Sequence, residues 1–278
     1  MNPLVTTAWL AEALGTGDVL VFDASFFLPT EGKDAHAHFL AAHLPGARFF
    51  DIDDVADEDT DLPHMVPSAG RFAKKMAEYG IANSSRLVFY DQVPNFRAAR
   101  ALWLVGLFGH DQAAVLDGGL AKWQAEGRPV EHGAPPPPPP VVYTPHLRAT
   151  KLRGLGDMVR NVETQAELVL DARPAGRFDG TAPEPRADLP NGHMPGAVNI
   201  PASDMVGPDK LFLTPDALRA RFAAAGVDGS RPVVTSCGSG VTASILTSGL
   251  RVAGLPEGAL YDGSWTEWAS QPDTPKVK

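Results

Sequence analysis

Four short landmarks occur twice in this chain, in the same order, and the members of each pair lie between 145 and 150 residues apart. Val19-Leu20-Val21-Phe22-Asp23-Ala24 is matched by Leu168-Val169-Leu170-Asp171-Ala172-Arg173, and His43-Leu44-Pro45-Gly46-Ala47 by His193-Met194-Pro195-Gly196-Ala197. Leu87-Val88-Phe89-Tyr90-Asp91 lines up with Val233-Val234-Thr235-Ser236-Cys237. Leu116-Asp117-Gly118-Gly119 and Trp123 line up with Tyr261-Asp262-Gly263-Ser264 and Trp268. Nearly constant spacing over four ordered matches makes the 278 residues two copies of one domain, which also fits the usual size of a domain.

Within each copy, short apolar runs bounded by turn residues alternate with helical segments such as Gly70 to Tyr79 and Pro215 to Ala225. That alternation predicts an α/β fold: two tandem domains, each a mainly parallel sheet flanked by helices, with functional groups gathered at the carboxyl ends of the strands. Between the copies, Pro135 to Pro140 are six consecutive prolines, which take extended polyproline II geometry and act as a semi-rigid spacer. The expected division is a first domain over 1–130, a proline-rich linker over 131–149 and a second domain over 150–278. A docking segment for proline-reading domains is the alternative reading of the run.

A formal net charge of -9 argues against nucleic acid or an anionic membrane surface as a partner. With one cysteine there is no internal disulfide, and no Cys/His cluster has zinc spacing. Met1 to Leu20 carries Glu12 and Asp18 without a basic leader or a long apolar run, so neither a signal nor a transit peptide is expected. The expected compartment is the cytoplasm.

The single cysteine stands in Ser236-Cys237-Gly238-Ser239-Gly240-Val241-Thr242-Ala243-Ser244. Pro232 to Thr235 reads as a short buried strand, and the apolar spacing from Val241 to Val252 predicts a helix. The sulfur is thereby placed between a strand end and a helix start, where unpaired backbone N–H groups and the helix dipole favour an anionic thiolate or persulfide. A small buried apolar cysteine is the alternative, but Gly238 and Gly240 would pack poorly in a core.

The copies differ at this point, because Asp91 occupies the position of Cys237 and a carboxylate cannot carry sulfur. The first copy is either a scaffold or a lender of residues. Asp51-Ile52-Asp53-Asp54 and Asp61-Leu62-Pro63-His64-Met65 contain the acid and the imidazole that could make an oriented acid/base pair. His43 and His193 recur in both copies, including the one without a nucleophile, and read as structural turns; Trp123, Trp265 and Trp268 read as packing residues.

Cys237-Gly238-Ser239-Gly240-Val241-Thr242, the two His-x-Pro-Gly segments, Asp-Gly-Gly at 117–119 and Asp-Gly-Ser-Trp at 262–265 resemble the tandem-domain rhodanese superfamily over essentially the whole chain. Within it, the chain resembles specifically the members that take sulfur from 3-mercaptopyruvate. The resemblance implies that only the second domain is active and that Cys237 forms the persulfide. It further implies that Arg177 and Arg186 bind the substrate, that Gly238, Gly240, Val241 and Thr242 build the loop around it, and that Ser239, His64 and Asp53 form a proton relay. A thiol such as thioredoxin, or cyanide, would take the sulfur, and no metal or organic cofactor is implied. One departure is Arg97, in Phe96-Arg97-Ala98-Ala99-Arg100, where the family usually has a small residue; Arg100 and Asp91 are expected to fill the silent site.

Thiosulfate is a dianion, and the rhodaneses that use it carry basic side chains directly after the cysteine. Here those positions are the neutral Gly238 and Ser239. Mercaptopyruvate has one carboxylate and a ketone, which two arginines outside the loop could hold by charge-assisted bonds. For the arginines the alternative is an ion pair with Asp179 or Glu184. For the protein, the alternatives are a thiosulfate:cyanide sulfurtransferase, a non-catalytic sulfur-relay module, and a rhodanese-like phosphatase. The last needs a longer loop ending in an arginine, which this chain lacks.

Overall fold

The computed structural model describes residues 1–28, 31–186 and 188–278. Two compact units result. The first comprises Met1–Asp57, Val66–Arg148 and Pro208–Phe212, and the second Glu58–Met65, Ala149–Gly207 and Leu213–Lys278.

In the first unit the chain runs β1 (Leu4–Val5), α1 (Thr7–Thr16), β2 (Leu20–Asp23), α2 (Ala35–Ala41), β3 (Arg48–Phe49), α3 (Ile52–Val55), α4 (Ala69–Glu78), β4 (Leu87–Tyr90), α5 (Ala99–Leu107), β5 (Ala113–Leu116) and α6 (Gly119–Ala125). Its sheet has the order β1-β5-β4-β2-β3 and every pairing is parallel. Parallel strands covered on both faces need unbroken apolar sequence. Leu87, Val88, Phe89 and Tyr90 are accordingly all buried. The helices around them start at side-chain caps. The oxygens of Thr6, Asp34, Asp51 and Ser68 accept first-turn N–H groups of α1, α2, α3 and α4.

The second unit repeats the plan with β6 (Leu152–Arg153), α7 (Leu155–Thr164), β7 (Leu168–Asp171), α8 (Ala175–Phe178), β8 (Val198–Asn199), a 3-10 turn over Ala202–Met205, α9 (Pro215–Ala224), β9 (Val233–Ser236), α10 (Ala243–Val252), β10 (Ala259–Tyr261) and α11 (Ser264–Ser270). The strand order β6-β10-β9-β7-β8 is the first sheet's order over again, again all parallel. Register is preserved too: Asp23 pairs with Tyr90 in one sheet as Asp171 pairs with Ser236 in the other. The two tandem α/β domains expected from the repeat are what the chain builds.

The repeated landmarks do the same work in both units. The rings of His43 and His193 stack on Phe39 and Phe178, and their Nδ1 atoms lie 2.9 Å from the carbonyls of those phenylalanines. Trp123 and Trp268 are buried, and their indole N–H groups donate to the carbonyls of Pro129 and Pro275. These are packing roles, as their presence in both copies implies.

Residues 131–148 run along the first unit. Tyr143 is buried edge-on to Phe72 and stacked with His110, and Asn83 exchanges two 2.8 Å hydrogen bonds with the backbone of Thr144. Among the described residues no helix is long and apolar enough to cross a membrane, and no group of three or more His, Cys, Asp or Glu could hold a metal ion.

Candidate active site

Strand β9 is fully buried and delivers Cys237 at its carboxyl end, at the centre of the second sheet. Residues 237–242 form an irregular loop, and the helix expected from Val241 begins at Ala243. The Val241 and Thr242 carbonyls accept turn bonds from Ser244 and Ile245 instead. Gly240 turns the loop with φ +81°, a left-handed conformation that glycine adopts without a Cβ penalty. That turn aims the Gly240 N–H at the cysteine, 3.1 Å from Sγ. Cys237 is 2% exposed, so its sulfur meets the Gly240 amide in a site that largely excludes water.

The other side of the loop is held by the start of α11. Ser264 Oγ accepts the Cys237 N–H at 3.1 Å, and the carbonyls of Cys237 and Gly238 accept the N–H groups of Trp265 and Thr266 at 3.0 and 2.9 Å. The Thr266 hydroxyl also donates to Gly238 O at 2.6 Å.

The two arginines singled out in the sequence reach this loop by different routes. Arg177, on α8, has its Nη2 so close to Gly238 that a Cβ built there would lie 2.9 Å away. It pairs with Glu184 through Nε at 3.1 Å and Nη2 at 2.6 Å. The Glu184 pairing anticipated as an alternative therefore exists, but not as a surface contact: the Glu184 side chain is 3% exposed and also accepts from Arg173 Nη1 at 2.9 Å. Arg173 is wholly buried, bonds Asp171 through Nε and Nη2, donates to Gly192 O, and lies over the Trp265 ring at 4.5 Å. Burial by itself lowers the Arg173 pKa. The bonds and charge of Asp171 and Glu184 outweigh it and hold the guanidinium above its usual value. Arg186 is exposed and donates from Nη1 to Thr266 Oγ1 at 3.3 Å. Composition and spacing did not single out Asp171, Arg173, Ser264 or Thr266 as site residues; the repeat held the only usable signal, since the first copy has Ser25, Gly119 and Ala121 where the second has Arg173, Ser264 and Thr266.

Ser239 lies in the loop and is buried. His64 is half-buried, has φ +62°, and falls in the second unit together with Cys237, although it comes from the first half of the sequence. Asp53 is exposed in the first turn of α3 and belongs to the first unit. Val241 and Thr242 are the last residues before α10, where Thr242 has helical φ and ψ.

The counterpart loop in the first unit holds Asp91 in place of the cysteine. Both its carboxylate oxygens accept the Ala98 N–H, at 3.0 and 3.2 Å. Burial pushes its pKa well above the usual carboxylate range, with a further push from Asp23. Arg97 bonds Glu31 and the carbonyl of Phe26, and the buried Arg100 lies over Trp103. Phe212 closes over this silent loop: its ring packs edge-on to Phe96 at 5.0 Å and its N–H donates to Asp117 Oδ1.

The Rhodanese-like domain model matches the chain at residues 6–126 and again at 155–271. The chain is 38% identical to thiosulfate/3-mercaptopyruvate sulfurtransferase 2 of Arabidopsis thaliana, over 99% of this chain and 86% of that one. It is 39% identical to human 3-mercaptopyruvate sulfurtransferase, over 95% of this chain and 91% of that one. The crystal structure of SseA from Escherichia coli, described as showing the rhodanese fold of 3-mercaptopyruvate sulfotransferases, superimposes with a TM-score of 0.86 at 34% identity, covering 95% and 99% of the two chains. With both halves matched, a shared sheet order and full-length relatives, this chain belongs to the rhodanese family and carries its domain in tandem.

Proposed function

We propose that this protein is a 3-mercaptopyruvate sulfurtransferase that carries sulfur as a persulfide on Cys237. The observation that carries the reading is the Gly240 N–H donated to Sγ in a loop that is otherwise uncharged and nearly closed to water. The names of the full-length human and plant relatives support the reaction class.

The Cys237 thiolate attacks the donor's sulfur. A sulfur–sulfur bond forms and the C–S bond breaks, its electron pair passing to the enolate of pyruvate, which is then protonated at carbon. The amide of Gly240, with others of the 238–242 loop, stabilises the anionic persulfide as an oxyanion hole stabilises a developing charge. Arg177 and Arg186 hold the carboxylate and ketone, and the buried Glu184–Arg173–Asp171 chain fixes Arg177 in place. Ser239 and His64 handle the proton, with Asp53 as a third member on the resemblance alone. The left-handed backbone at His64 costs about 1–2 kcal/mol, a strain of the kind found at functional positions. A thiol such as thioredoxin then attacks the outer sulfur and regenerates the thiolate. The expected setting is the cytoplasm.

Thiosulfate is the comparison donor, because the plant relative's name couples it with mercaptopyruvate. Pyruvate release from 3-mercaptopyruvate and sulfur transfer from thiosulfate to cyanide are to be compared for the wild type and Cys237→Ser. The reading expects higher kcat/KM with mercaptopyruvate and no turnover of either donor in the variant. Faster transfer from thiosulfate overturns the choice of donor, and turnover in Cys237→Ser overturns the mechanism.

A further inference from the structure

The duplication provides an internal control for what the α11 clamp contributes. In both units the second residue after Asp-Gly donates its N–H to the first carbonyl of the loop: Leu120 to Asp91 at 2.9 Å, and Trp265 to Cys237 at 3.0 Å. That backbone bond serves the fold, since it is made where there is no chemistry. The side chains beside it differ. The silent copy has Gly119 and Ala121, and the live copy has Ser264 and Thr266, two hydroxyls added at one site.

Ser264 sits at φ +51° and Gly119 at φ +57°, so the backbone turn itself asks for glycine, and the live copy accepts a side chain there against that preference. Its hydroxyl donates to the Tyr261 carbonyl and accepts the Cys237 N–H. Thr266 goes further. Its Oγ1 donates to Gly238 O at 2.6 Å and accepts from Arg186 Nη1 at 3.3 Å. A threonine hydroxyl has one proton to give and lone pairs to accept with, so the bond to Gly238 sets the hydroxyl's direction and leaves its lone pairs for the guanidinium. Thr266 is 7% exposed, whereas Arg186 is an exposed, long side chain that would otherwise sample many rotamers.

We propose that Thr266 is a positioning residue that ties Arg186 to the carbonyl of Gly238, so that the group recognising the donor's anion and the loop bearing the sulfur are held in one frame. The proposal rests on the reading that Arg186 binds an anionic sulfur donor. It is a role for a hydroxyl rather than for bulk, which makes valine the informative replacement and serine the rescue.

Two readouts test it on the intact protein. One is steady-state pyruvate release from 3-mercaptopyruvate. The other needs no sulfur donor: the rate of Cys237 alkylation by anionic iodoacetate relative to neutral iodoacetamide. Thr266→Val is expected to raise KM about 5-fold with kcat changed by less than about twofold, and to lower the iodoacetate-to-iodoacetamide ratio by the same factor, the loss of one hydrogen bond. Thr266→Ser is expected to recover most of both. In an Arg186→Ala background, the valine substitution is expected to have no further effect on either. An unchanged ratio in Thr266→Val, an equal slowing by both reagents, or a full loss on top of Arg186→Ala overturns the proposal and leaves Thr266 a structural clamp. Should wild type fail to release pyruvate while the alkylation ratio behaves as expected, the choice of donor is wrong and the positioning role stands.

Discussion

Substituting Gly238 with alanine is a steric probe of Arg177. The backbone at Gly238 is not left-handed, so the added methyl acts through space alone. It would lie 2.9 Å from Arg177 Nη2, where an ordinary contact is about 3.5 Å, and the guanidinium must retreat by about 0.6 Å. It has little room to do so, because Nη2 is bound to Glu184 Oε2 at 2.6 Å and Glu184 is anchored by the wholly buried Arg173. Charge-assisted bonds of this kind contribute about 1.5–3 kcal/mol each, and loss of half to all of one corresponds to about a 4-fold to 160-fold weaker grip on an anionic donor. The effect is expected in KM for 3-mercaptopyruvate, measured by pyruvate release, with a smaller change in kcat. A KM within about twofold of wild type in a folded Gly238→Ala protein would refute the placement of Arg177 in the donor site and leave it an internal ion pair.

Asp91→Asn addresses the silent loop. Burial raises the Asp91 pKa in the folded protein above its unfolded value, so ionisation opposes folding and stability is lost as pH rises from about 4 toward the folded pKa. The asparagine variant is therefore expected to melt higher than wild type at pH 7, with the gap closing as pH falls toward 4; a gap independent of pH contradicts this. Gly119→Ala drives a Cβ into the Asp91 carbonyl oxygen at φ +57°, and about 2–4 kcal/mol of stability is expected to be lost in urea unfolding. An unchanged midpoint contradicts that contact. For His64→Ala, kcat is expected to fall about 100-fold with the fold intact, and unchanged turnover removes the imidazole from the proton relay.

The repeat made the architecture readable before any coordinates, because two copies with the same order of apolar runs can only build the same sheet twice. The Cys237 loop was readable for a local reason: a β-branched run, two glycines and a helical period succeed one another within twenty residues. What stayed hidden depends on contacts far apart in sequence. Thr266 meets Gly238 across 28 residues and Arg186 across 80, and no local period records such a meeting. Arg173 was visible as the end of a repeated strand, yet its burial against Asp171 and Glu184 is a property of packing. Likewise, nothing in Pro208–Phe212 announces that it belongs to the first unit, whereas the resemblance that puts His64 in a relay with Cys237 already pointed Glu58–Met65 toward the second.

The persulfide on Cys237 is the central claim, and intact-protein mass spectrometry tests it directly. Wild type incubated with 3-mercaptopyruvate in the absence of any sulfur acceptor is expected to gain the mass of one sulfur atom, mapped to the peptide containing Cys237 and removed by added thiol or cyanide. A protein that releases pyruvate with no mass gain at Cys237, or that acquires the sulfur in Cys237→Ser, would contradict the account.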